Sequence, residues 1–181
     1  MEITSRELWT ELHGIVLGAV YLMAFTGGLV ALWDLRVGCT PEDRIAPATR
    51  RLALWAWTMA IFAWLTVLAG TYVVYPWYRA VPPAGTANTV AALAQYPKFA
   101  LLASPKTAEW HEFGMEWKEH LAWFAPILAT AVAVLVTRYG RRAIADAMLR
   151  RALLTLYVFA FASAGIAGLL GALINKAAPV R

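Results

Sequence analysis

Residues Glu109–Val136 read EWHEFGMEWKEHLAWFAPILATAVAVLV, and the change of character at His120 decides the fold. Before that point the stretch holds two of the chain's three histidines and four of its eleven acidic residues. After it, Leu121 to Val136 contains no charged residue. A membrane-crossing helix needs about 20 mainly apolar residues. This run reaches that length only if its helix starts upstream, within the histidine-rich part. Glu116–His120 is therefore expected at or inside a membrane boundary.

Three further apolar runs lie at about 12–33, 52–75 and 152–174, each free of Lys, Arg, Asp and Glu. Over the whole chain 61% of residues are hydrophobic and 15% charged, where a soluble domain carries about 25% charged residues. The reading is an all-α integral membrane four-helix bundle, one domain over 1–181, with spans at about 12–33, 52–75, 115–137 and 152–174. The first span lacks a preceding basic region and a small-residue cleavage site, so it reads as a retained helix rather than a signal peptide.

The connections give a direction. Residues 34–51 and 137–151 hold nine arginines against four acids, and the rest of the chain is balanced. Basic short loops mark the cytoplasmic side. Both termini and the long connection at about 76–114 are then expected outside, with the protein multi-pass in a bacterial inner membrane. The positive charge is spent on orientation, and no nucleic-acid partner is expected. The long connection is too apolar to be a disordered linker. Val90–Leu93, Tyr96 and Phe99–Leu102 predict a short helix or a loop folded over the outer face, and Ser104-Pro105 reads as the N-cap and first residue of the next helix. Pro126 should disturb that helix by removing a backbone donor. Trp9, Tyr72, Tyr75, Trp77, Trp110 and Trp117 crowd the expected outer boundary, as interfacial aromatics do.

His13 and His120 begin the first and third spans at matching depth. On helical wheels, Phe113, Glu116, Trp117, Phe124 and Ile127 share the His120 face. Leu17, Val20, Ala24, Gly27, Gly28 and Ala31 share that of His13. Membrane b-type cytochromes hold haem by histidines on different helices of a bundle, and this layout is similar. The leading expectation is one haem b near the outer face with His13 and His120 as axial ligands. Glu116, Trp117 and the small Gly14 would border the ring, and Lys118 and Arg79 would meet the propionates. The chain would then carry electrons within a respiratory or related redox complex. Its partners would be other membrane subunits, lipid, and a quinol or periplasmic cytochrome.

His111 lies nine residues before His120, about 13 Å higher on an unbroken helix. It becomes a rival ligand if the helix breaks at Gly114. Otherwise His111, Glu109 and Glu112 form an exposed shoulder, and Glu109, Glu112 and Glu119 a solvated face. Two alternatives stand beside haem: a cofactor-free accessory subunit of a larger membrane complex, or a non-haem metal site using Glu112, Glu116 and His120 with His13, and His111 as a further candidate ligand. The single cysteine, Cys39, reads as inert and excludes a CxxCH haem attachment, a disulfide within the chain or a cysteine-built cluster. No phosphate-binding loop, dinucleotide turn or nucleophile with a placed base is present.

Overall fold

The computed structural model describes residues 4–35 and 41–180, apart from the side chains at 34 and 143–145. Cys39 and Arg36, one of the nine arginines counted above, lie outside the described residues. Four helices are long and apolar enough to cross a membrane: α1 (Ser5–Trp33), α2 (Glu42–Tyr78), α4 (Trp110–Arg142) and α5 (Ala147–Ala177). A short helix, α3 (Pro97–Leu102), lies between α2 and α4. The protein is a multi-pass membrane protein. Its spans fall where the apolar runs predict, but each helix extends past the run that marks it, because polar residues at either end continue the same backbone hydrogen bonding.

The helices pack in chain order. α1 lies on α2, α2 on α4 and α4 on α5, while a looser contact between α1 and α5 closes the ring. α1 and α4 therefore stand diagonally. The interior is lined by small side chains, with Ala24, Ala56, Ala60, Ala63, Ala129, Ala133 and Ala160 all buried. Lipid supplies no hydrophobic drive between helices, so close backbone approach and interhelical hydrogen bonds must supply the attraction. The Tyr21 hydroxyl donates to the Ala160 carbonyl (2.8 Å) and the Tyr157 hydroxyl to that of Ala24 (3.0 Å), joining α1 to α5. Gly28 leaves the space that the Tyr157 hydroxyl occupies. Between α2 and α4, the indoles of Trp57 and Trp64 donate to the hydroxyls of Thr137 and Thr130, each at 3.0 Å. Both indoles thus serve to join helices.

One end of the bundle is basic. The other is covered by the connection between α2 and α4. There Leu93, Ala100 and Leu101 bury themselves against Tyr78, Met115 and Ile174, and the C-terminal Ala178 and Val180 complete the cap. The connection is folded, as its composition predicts. The expected helix start at Ser104-Pro105 is not found. Ser104 instead belongs to a turn, closed by Thr107, whose hydroxyl donates to the Leu101 carbonyl at 2.8 Å. Further along, α4 loosens at Ala122–Trp123. Ala122 is four residues before Pro126, where a proline ring collides with the helical carbonyl.

Candidate functional site

Three of the four long helices contain a π-helical turn: Leu12–Val16 in α1, Gly70–Val74 in α2 and Trp110–Met115 in α4. All three lie at the capped end. A π turn inserts one residue into an α-helix, which re-aims the neighbouring side chains and recurs at functional sites. Each contains a glycine (Gly14, Gly70 or Gly114), and in α2 the turn ends two residues before Pro76, which cannot donate to the ladder. Two of the turns carry a histidine, and the third receives one.

His13 points inward and meets Gly70 through the Cε1 corner of its ring. A methyl group on Gly70 would stand 2.6 Å from the His13 Cε1 and 3.3 Å from its Nδ1. The Thr66 main chain lies within reach of a hydrogen bond from the ring, while Nδ1 is buried with no partner in good hydrogen-bond geometry. Lys118, from the diagonal helix, enters the same interior and acts on His13 through space. Its stem lies along α5 at Gly171, where a methyl group would meet Cε at 3.1 Å and Nζ at 3.4 Å. Glycine at 70 and at 171 thus makes the room for an imidazole and an ammonium.

Glu119 continues the cluster from Lys118. Its Oε1 is buried and unpartnered, and its carboxylate is the principal charge acting on Tyr75 and Tyr78. Arg79 donates to the Tyr75 hydroxyl (3.0 Å) and lies over that ring, 5.4 Å from its centroid. The Tyr78 hydroxyl and His111 Nδ1 are 2.9 Å apart in a buried hydrogen bond. Hydrogen bonds thus join Arg79 to Tyr75 and Tyr78 to His111, while Glu119, Lys118 and His13 act on one another and on the tyrosines through space.

Two expectations are corrected here. His111 is buried beneath the cap rather than part of an exposed shoulder, because the π turn rotates it toward Tyr78. Glu119 does not join Glu109 and Glu112 on a solvated face. It is half-buried, with one carboxylate oxygen inside, whereas Glu109 and Glu112 are exposed.

The face shared by Phe113, Glu116, Trp117, His120, Phe124 and Ile127 exists, but all six side chains are exposed and point away from the bundle. His120 Nδ1 donates to the Glu116 carbonyl (2.7 Å), and its ring borders a hollow of about 370 Å3 with Glu116, Trp117, Leu121 and Phe124. The structure thus sets His13 and His120 in different surroundings, one inside the bundle and one outside. Lys118, expected at a propionate, turns inward, and Arg79 is engaged with Tyr75. Gly14 is exposed, with nothing within 4 Å of where a methyl group would stand.

Among the described residues no three His, Cys, Asp or Glu side chains converge on a position that could hold a metal ion. The interior cluster brings together titratable groups of α1, α2 and α4: His13, Tyr75, Tyr78, His111, Lys118 and Glu119. Gly70, Tyr75, Tyr78, Glu119 and Gly171 belong to this site and were not legible as such in the sequence. The glycine within each π turn is the signal that could have drawn attention to them. Comparison with known families, characterised proteins and solved structures finds no match for this chain.

Proposed function

We propose that this chain is a membrane subunit that takes up and releases protons at its capped end, with Glu119 and His13 as the proton-binding groups. The observation that carries the reading is the pair of buried, unpartnered atoms, His13 Nδ1 and Glu119 Oε1, in two residues that both interact with Lys118 through space. A buried polar atom left unpaired costs about 1–3 kcal/mol. Ionisable residues within membrane helices are correspondingly rare and mark ion or proton pathways. Water held between these groups would satisfy both atoms and connect them.

A proton arriving from the medium binds the Glu119 carboxylate. It passes through water beside Lys118 to His13 Nδ1 and leaves by the same route, so only O–H and N–H bonds change. The basic end is assigned to the cytoplasm by the positive-inside rule, which puts this cluster on the outer side. Proteoliposomes of sorted orientation, loaded with a pH-sensitive dye, test the reading. A pH jump on the capped side should give fast proton uptake that Glu119→Gln abolishes. Uptake unchanged in both Glu119→Gln and His13→Gln, with either variant still folded, would overturn it.

A second reading keeps haem b, and His120 favours it. A metal-ligating histidine commonly donates its other ring N–H to a carbonyl, which fixes the tautomer. His120 does this to Glu116 and leaves Nε2 free beside the aromatic-lined hollow. The chain would then pass electrons near the outer face of a redox complex, with the second axial ligand coming from outside this bundle. A reduced-minus-oxidised optical spectrum that disappears in His120→Ala is the expected result. The same spectrum without any haem signal in the intact protein would remove this reading.

A further inference from the structure

At the basic end, α5 opens with a stripe that the proton-binding cluster does not use. Ala147, Arg150, Arg151 and Leu154 line a hollow of about 290 Å3. Their spacing puts them on one helix face over two turns. Neither guanidinium has a hydrogen bond or ion pair with another described residue. The nearby carboxylate, Asp146, is occupied: it accepts from the amides of Met148 (2.8 Å) and Leu149 (3.1 Å). The ends of α2 and α4 add Arg50, Arg51, Arg138, Arg141 and Arg142, all exposed. Below the two arginines the stripe becomes apolar and stays exposed, with Leu154 at 41% and Val158 at 44%.

A ligand for this surface must carry negative charge at one end and a long apolar body at the other. Guanidinium groups pair with phosphate oxygens through two parallel hydrogen bonds. Basic clusters at the end of a spanning helix attract anionic headgroups, at about 1 kcal/mol per residue. A free phosphate would use the arginines but gain nothing from Leu154 and Val158.

We propose that the hollow at the start of α5 is a binding site for an anionic glycerophospholipid. Its phosphate sits on Arg150 and Arg151, and an acyl chain runs along Leu154 and Val158. The site concerns the basic end and stands or falls independently of proton handling.

Delipidated protein in a neutral detergent, titrated with phosphatidylglycerol or phosphatidylcholine and followed by native mass spectrometry and thermal unfolding, tests it. Phosphatidylglycerol should bind and raise the melting temperature, and phosphatidylcholine should do neither. Arg150→Gln with Arg151→Gln should weaken phosphatidylglycerol binding about tenfold or more. Arg141→Gln with Arg142→Gln should leave most of it. Inorganic phosphate at millimolar concentration should not compete.

Equal binding of the two lipids would overturn the proposal, whatever the variants do. So would full binding by the Arg150/Arg151 double variant, or displacement by inorganic phosphate. If the double variant does not fold, Arg150→Lys with Arg151→Lys serves in its place. It keeps the charge, loses the paired geometry, and should bind with intermediate affinity.

Discussion

Replacing Gly70 with alanine would set a methyl carbon 2.6 Å from Cε1 of His13, 3.2 Å from Nε2 and 3.3 Å from Nδ1. Ordinary contact begins near 3.4 Å, so the ring would have to retreat by roughly 0.8 Å into an interior that also holds Lys118. Overpacking of this kind costs about 1–3 kcal/mol. Helix propensity acts the other way, since alanine is favoured over glycine in a helix by about 1 kcal/mol. The net expectation for Gly70→Ala is a loss of up to about 2 kcal/mol. The decisive comparison is made in the background His13→Ala, where the obstructing ring is gone. There Gly70→Ala should be neutral or stabilising, giving a coupling of about 1–3 kcal/mol between the two positions. Reversible unfolding in mild detergent, on all four proteins of the cycle, measures it. A penalty for Gly70→Ala that is the same with and without His13 would refute the packing of this ring against α2.

Other consequences follow from single contacts. Tyr78→Phe leaves His111 Nδ1 buried without its partner and should cost about 1–3 kcal/mol of unfolding free energy, accompanied by a shift in the His111 ring 15N resonances. Tyr157→Phe removes only the hydrogen bond to the Ala24 carbonyl. Its cost should be about 0.5–1 kcal/mol by the same unfolding assay, in line with interhelical hydrogen bonds in membranes. Lys118→Met keeps the stem over Gly171 but deletes a charge that has no partner at hydrogen-bonding distance. It should leave the melting temperature unchanged or higher while changing the rate of proton passage from Glu119 to His13. A clear fall in melting temperature for Lys118→Met would show that the ammonium contributes to stability rather than to function.

The four spans were legible because the apolar runs are long and their charged neighbours few, and backbone hydrogen bonding in lipid leaves a helix as the only open solution for such a run. The inward face of α1 was legible too. Ala24, Gly28 and Ala31 are buried as the wheel predicts. The His120 face was assembled correctly and aimed wrongly. A wheel groups side chains but does not say whether their stripe turns toward the bundle or toward lipid. Aromatic residues such as Phe113, Trp117 and Phe124 suit either place. His111 and Glu119 were misread for a different reason. Regular α-helical geometry was assumed from Glu109 onward, whereas the π turn through Gly114 changes the register between His111 and everything after it. The cap adds a second cause. Glu119 looks solvated when the connection above it is treated as separate from the bundle. Leu93, Ala100 and Leu101 fold over Tyr78, one of the two tyrosines on which the Glu119 carboxylate acts.

Water-edited solid-state NMR of the protein in lipid, with 15N-histidine and 13C-labelled glutamate and tyrosine, shows whether water reaches the buried cluster at the capped end. Magnetisation transferred from water should reach the His13 ring and the Glu119 carboxyl promptly. Tyr157, in the apolar middle of the same bundle, should receive it slowly. If His13 and Glu119 prove as dry as Tyr157, no water joins the unpartnered atoms, and the capped-end cluster is not a proton-exchanging site.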